Sequence, residues 1–186
     1  MDLTQAIYRR RAVREFTEKP VDEKTIRRLI DAAVQAPSAI NRQPWSFCVV
    51  RDKAVLSKIS ENAKTHLLET APPDLESPHI QDMLRDKSFD IFYGAPALIV
   101  IAAEGPSEWA VEDCTLAAQN LMLAACNIGV GSCWIGLAQS WLRSEDGVKT
   151  LELPEGHVPV APIIIGYPPV WPPEVPRQSP DIRWIG

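Results

Sequence analysis

The chain has little of what several protein classes require. Its 186 residues carry 19 Lys and Arg against 24 Asp and Glu, a formal net charge of −5. Nucleic-acid binders need cations clustered over a broad face, so this balance argues against that class. No apolar run is long enough to cross a bilayer. The longest, Ala95 to Ala103, falls far short of the ~20 residues a spanning helix needs and reads as a buried strand. The opening Met1-Asp2-Leu3-Thr4 is acidic, with no apolar stretch of signal type after it, so a cytoplasmic location is expected. The four cysteines, Cys48, Cys114, Cys126 and Cys133, form no C-x-x-C pair and have no His at ligand spacing. Each lies in an apolar segment and reads as a buried, reduced thiol. His66, His79 and His157 are scattered, with neither triad nor zinc pattern, so no histidine is given a catalytic role and no metal is expected. Glycine signatures fail too. Gly131 to Gly136 has P-loop spacing, but Leu137 stands where lysine is needed. Trp134 occupies the third glycine position of G-x-G-x-x-G, and the helix-then-strand order is reversed.

What is abundant is proline, 17 residues in all, with six between Pro168 and Pro180. That segment reads as an extended arm, since proline suits neither a helix interior nor an inner strand. The length fits one domain, residues 1–186, with 166–186 as the arm. A first helix is expected over residues 2–11. A second begins at Asp22, a natural N-cap, continues through the stripe Ile26, Leu29, Ile30, Ala33 and Val34, and stops at Pro37. Strands are expected at Trp45–Val50, Pro96–Ala103, Ser132–Ile135 and Val158–Gly166. Helices are expected around Val55–Ala63, over 107–127 and over Ser140–Leu151. The 107–127 helix is apolar on more than one side, as in a central or interface helix. Residues 66–88 read as an excursion with a short polar helix, expected to roof a pocket. Asp181–Ile185 is a candidate terminal strand.

Three segments and one lone residue bear on chemistry. Arg9, Arg10, Arg11 and Arg14 crowd into six positions, and on a helix end Arg10 and Arg14 are i, i+4 neighbours. Arginine matches phosphate oxygens with a planar fork of donors. Read alone, the cluster is equally a solvated basic face, or a set of cations at a helix C-terminus. Ala36 to Trp45 is a loop dense in hydrogen-bonding side chains, either a functional loop or an ordinary turn. Gly129 to Gly136 gives a helix stop and a place where backbone closely approaches a flat ligand. Arg177 stands alone in the arm.

Together these segments resemble the nitroreductase family of flavin enzymes. The resemblance rests on R-R-x-x-R-x-F (Arg10 to Phe16), A-P-S-x-x-N-x-Q-P-W (Ala36 to Trp45) and A-P-A-L-I-V (Ala95 to Val100). It continues in A-A-Q-N-L-x-L-A-A, then G-x-G-S-C-W-I-G (Ala117 to Gly136), and in Gly166-Tyr167-Pro168 leading to Arg177. It implies an α+β fold with a central mixed sheet flanked by helices, and a homodimer whose C-terminal arm extends onto the partner. FMN would sit at the interface. Arg10 and Arg177 would hold its phosphate, with Arg11 and Ala12 along the ribityl and phosphate region. Arg14 would approach the pyrimidine side of the ring. Pro37, Ser38 and Ala39 would come from the other subunit, with Asn41 and Gln43 shaping that loop. Trp134, Ile135, Gly136 and Leu137 would line the flavin edge.

The implied activity is ping-pong transfer of hydride from NAD(P)H to a small acceptor such as a nitroaromatic or quinone. No protein side chain is assigned a catalytic role, because the flavin carries the chemistry. The chain departs from the family pattern at Ala12, where serine is usual. It also lacks an acidic residue near Gly136 and carries Ser88, Ile91 and Val175 where Asn, Lys and a second cation are found. Other reactions on the same fold are alternatives: dehalogenation, enone reduction or flavin breakdown. So are a non-catalytic flavin-binding or redox-sensing protein, and an interaction domain without flavin.

Overall fold

A computed structural model describes residues 1–70, 77–105 and 109–186. The helices, in chain order, are α1 (Leu3–Arg9), α2 (Glu23–Ala33), α3 (Lys53–Thr70), α4 (Pro78–Arg85), α5 (Ala110–Asn127), α6 (Gly136–Leu142) and α7 (Glu145–Thr150). The strands are β1 (Trp45–Val50), β2 (Ala97–Glu104), β3 (Gly131–Trp134) and β4 (His157–Gly166). They form one sheet in the order β1-β2-β4-β3, and all three pairings are antiparallel. Among the described residues the one parallel contact is an isolated bridge from Ala12, which lies outside the four strands, to Ser132.

β2 is apolar and buried from Ala97 to Ala103, because helices cover both faces of the sheet. On one face α2 and α5 pack over Ile99, Ile101, Ile163 and Ile165. On the other, α3 and α6 pack over Leu98, Val100 and Ile164. The alternation along each strand divides its side chains between the two cores.

Local signals place several boundaries. Asp22 accepts from the Thr25 N–H at 2.6 Å and starts α2. Backbone and side-chain hydrogen bonds from Thr25 hold its carboxyl below the ordinary range. α2 ends at Ala33, before Pro37, in a turn in which the Gln35 and Ala36 N–H groups bond back to Ala32 and Ala33. The expected helix over Ser140–Leu151 is two helices. Ser144 caps α7 by accepting from Gly147 N–H at 3.2 Å, which breaks the run after Leu142. α3 runs on to Thr70, into the expected excursion, and α4 begins at Pro78 behind the Ser77 cap. The expected roof over 66–88 falls partly on 71–76, and the start expected at 107 for α5 falls on 106–108, both outside the described residues. Asp181–Ile185 forms no strand. Its residues are exposed and pair with no edge of the sheet.

α1 stops at Arg9, not residue 11. Arg10 turns to ψ 130°, and the chain runs on extended. Arg10 and Arg14 are therefore not helical neighbours. What gathers the arginines is the docking of residues 12–13 beside β3, where the Val13 N–H donates to the Ser132 carbonyl at 3.0 Å. The fit depends on Gly131. A Cβ there would lie 2.8 and 2.9 Å from the Val13 methyl carbons, and Val13 is itself buried.

Gly131→Ala is expected to destabilise the protein by about 1–3 kcal/mol, the usual cost of overpacking. A fall in urea midpoint at unchanged m-value would register it. Gly136→Ala, with nothing within 4 Å of the added Cβ, should leave the midpoint nearly unchanged.

Candidate functional site

Two groups of the expected site residues come together in the chain. The docking of Val13 on β3 sets Arg10, Arg11, Ala12 and Arg14 next to the strand that leads into Trp134, Ile135, Gly136 and Leu137. Burial pushes the Cys133 thiol up, and the charges of Arg14 and Arg10 oppose that rise. The same opposition reaches Cys126, at the end of α5, from Arg9, Arg10 and Arg11. The cations thus act on one small region between β3 and the end of α5.

The arginines differ in what holds them. Arg11 is used by the protein itself. Its guanidinium donates to the Tyr8 carbonyl at 2.6 Å, to the Arg10 carbonyl at 2.9 Å and to Pro173 O at 3.0 Å. It also pairs with Glu174 at 3.6 Å. Arg10 and Arg14 make no hydrogen bond or ion pair among the described residues. The arm returns to this place. Trp171 Nε1 donates to Arg9 O at 2.9 Å, and Arg177 shares a 470 Å³ cleft with Ile7, Tyr8, Arg11 and Glu174.

The start of α6 adds polarity of the same sign. Its N-cap, Ile135, offers no side-chain acceptor, and the first N–H groups of a helix have no intrahelical partner. Gly136 is exposed and Leu137 half-buried at that end. The Ile135 side chain is buried in the core and its N–H donates to Pro162 O at 2.8 Å, so neither is free for a ligand. Trp134 is half-buried and packs against the α2–α5 core.

The loop from Pro37 to Gln43 is a separate construction. Ile40, Asn41 and Gln43 have positive φ of 46°, 57° and 51°. Such backbone is uncommon outside glycine and persists where neighbours enforce it. Here Gln43 N–H donates to Ser38 Oγ at 2.9 Å, and Gln43 Nε2 to Asn41 Oδ1 at 3.0 Å. Ala39 N–H donates to Asp113 Oδ1 at 3.0 Å, which ties the loop to α5. No hydrogen bond or ion pair among the described residues joins this loop to the arginine segment.

Two residues of consequence escape sequence reasoning. Asp113 is 4% exposed, and its Oδ2 is buried with no partner. Its signal is a carboxylate beside Cys114 on the buried face of an apolar helix. Tyr93 lies under Arg14, whose Cζ is 6.0 Å from the ring centroid. Only the dipeptide Tyr93-Gly94, before Ala95-Pro96, hints at a special turn there.

Unpaired arginine forks beside an uncapped helix start fit a phosphorylated, anionic cofactor. Among the described residues, three of the expected holders, Arg10, Arg14 and Arg177, pair with no carboxylate, in a chain that is acidic overall. Such a donor set fits the phosphate of FMN.

Comparison with known proteins gives this site its context. The model of the nitroreductase family matches residues 7–167. A protein of Methanothermobacter thermautotrophicus, provisionally named NADH dehydrogenase/NAD(P)H nitroreductase, is 32% identical over 173 residues, covering 90% of this chain and 78% of its own. The fold is that of the Bacteroides fragilis nitroreductase solved with bound FMN, at TM-score 0.87 and 23% identity over the full length of both chains. It is also that of an oxidized iodotyrosine deiodinase bound to FMN and 3-iodo-L-tyrosine, at TM-score 0.76 and 21% identity, again over both full lengths. By sequence, fold and the order of its site segments, this chain belongs to the nitroreductase family.

Proposed function

We propose that the protein is an FMN-dependent NAD(P)H oxidoreductase that reduces a small acceptor of nitroaromatic or quinone type. The observation that carries this reading is the unpaired arginine set docked against β3 beside the open start of α6, in a chain of this family. When bound, FMN supplies the chemistry: it accepts hydride from NAD(P)H and passes the electrons to a second substrate in ping-pong order. The chain supplies grip and electrostatics. Arg10 and Arg177 bind the phosphate, and Arg11 and Ala12 border the ribityl side, with Arg11 also clamping the arm. Arg14 places a positive charge by the pyrimidine edge, where negative charge develops on reduction. The backbone of Trp134 to Leu137 borders the ring edge, with N–H groups at Gly136 and Leu137 open for a ring acceptor.

The loop bearing Pro37, Ser38, Ala39, Asn41 and Gln43 serves the site of a second copy in a homodimer. Its separation from the arginines of its own chain supports this. So do the exposed apolar residues Leu3, Ile7 and Tyr8 on α1, at 68%, 52% and 74%, with Val111 and Leu116 on α5. A cytoplasmic location fits these assignments, and among the described residues no helix is long and apolar enough to cross a membrane.

A second reading keeps the same flavin site and changes the acceptor. Reductive dehalogenation is compatible with the fold, which an iodotyrosine deiodinase shares. Turnover of a halogenated phenol with release of halide, in preference to nitroaromatics and quinones, would favour it.

The purified protein is expected to carry or take up FMN, with absorbance peaks near ~370 and ~450 nm from the oxidised cofactor. A colourless protein that binds no added FMN would remove the proposal. Arg10→Ala and Arg177→Ala should each weaken FMN binding about 10- to 100-fold, the loss of a charge-assisted contact of roughly 1.5–3 kcal/mol. Their far-UV circular dichroism should be unchanged. Full flavin occupancy in both variants would contradict the phosphate assignment.

A further inference from the structure

Tyr93 is held in an unfavourable backbone conformation. Its φ is 56°, and Gly94 follows at 67°. A bulky residue in the left-handed region persists only where its surroundings over-determine it, and such residues concentrate at functional sites. The surroundings do so here. Asp90 accepts from Phe92 N–H through Oδ1 and from Gly94 N–H through Oδ2, both at 2.9 Å, and Tyr93 N–H bonds to Asp90 O at 3.0 Å. Two buried residues of α3 hold the turn from behind. Ser60 Oγ accepts from Ile91 N–H at 3.1 Å. Lys64 Nζ donates to Asp86 O at 3.0 Å and Phe89 O at 2.6 Å.

What this turn delivers is an aromatic face beneath a cation. The Arg14 guanidinium stands 6.0 Å from the Tyr93 ring centroid, and Phe89 packs edge-on against that ring at 5.8 Å and 78°. A carboxylate would also hold Arg14, but it would neutralise the charge and occupy the donors. A π face attracts the cation and leaves all five N–H groups free. We infer that Tyr93 is the positioning residue for Arg14: its ring holds the guanidinium toward the flavin with charge and donors intact, and so strengthens binding of reduced over oxidised FMN. This rests on the FMN reading above.

The test measures the dissociation constants of apoprotein for oxidised FMN and, anaerobically, for reduced FMN. The proteins compared are wild type, Tyr93→Phe, Tyr93→Asn, Arg14→Ala and the double variant Arg14→Ala/Tyr93→Asn. Asparagine tolerates left-handed backbone better than tyrosine, so Tyr93→Asn removes the ring without adding strain. Should it fail to fold, Tyr93→Gly takes its place, since glycine adopts this φ freely. Tyr93→Asn is expected to lower the preference for reduced FMN about two- to fivefold, the scale of an exposed cation–π contact. Tyr93→Phe, which keeps the ring, should retain the preference, and Tyr93→Asn should add nothing once Arg14 is alanine. Equal losses in the Phe and Asn variants would overturn the inference, as would an undiminished Asn effect in the Arg14→Ala background. If Arg14→Ala lowers the preference and Tyr93→Asn does not, this inference alone fails. If wild type binds no FMN, the proposed function itself fails.

Discussion

The Val13 N–H reaches the Ser132 carbonyl because residue 131 has no side chain. Without that approach, the extended stretch after α1 would have no fixed place, and Arg10, Arg11 and Arg14 would be solvated cations on a tether. With it, the residues before and after Val13 are fixed relative to β3 and to the start of α6. A single hydrogen bond contributes only about 1 kcal/mol net. Its value here is geometric: it converts a local run of charge into an oriented set. Gly166, paired with Gly131 across the β3–β4 ladder, repeats the device, for a Cβ there would lie 2.6 Å from the Phe16 ring. The N-terminal segment is therefore seated on bare backbone at two points, with Val13 and Phe16 as the inserted side chains.

Charge separation follows from that seating. The chain carries more acid than base, yet among the described residues the carboxylate that pairs with the cluster is Glu174, 89% exposed and 3.6 Å from Arg11. With Glu174 in solvent the pair is weak, and the clamp on Arg11 comes from the carbonyls of Tyr8, Arg10 and Pro173. The fold thus spends Arg11 on its own structure and, among the described residues, leaves Arg10 and Arg14 of the cluster without an ion pair. Like charges held together repel, so this arrangement is less favourable in the ligand-free chain than a paired one would be. An anion bound there would relieve that repulsion.

Elements set by near neighbours were legible in the sequence. α2 could be read from Asp22 and an apolar stripe because cap and periodicity are local, and β1 matched residue for residue because Pro44 and Arg51 bound it. α6 and α7 were merged because nothing between Trp141 and Glu145 breaks a helix by composition. Ser144 acts through its capping bond instead. The arginine cluster was identified by residue type, but its geometry was misread as helical, since the docking of Val13 on β3 is set by a contact distant in sequence. Asp113 and Tyr93 stayed hidden for a related reason. Their importance lies in partners on other elements, Ala39 and Arg14, and neither residue type nor spacing reveals those.

The same distances in sequence bear on how the site and the fold depend on each other. Residues 12 and 13 dock on 131 and 132 at the β3 edge of the sheet, and the arm joins through Trp171 on Arg9 and Pro173 on Arg11. No local fragment contains two of these pieces, so loop closure must be completed before any of the site exists. A ligand that requires all of them binds the native state and none of the partly folded ones. Its binding energy is then added to global stability, by the logarithm of its concentration over its dissociation constant.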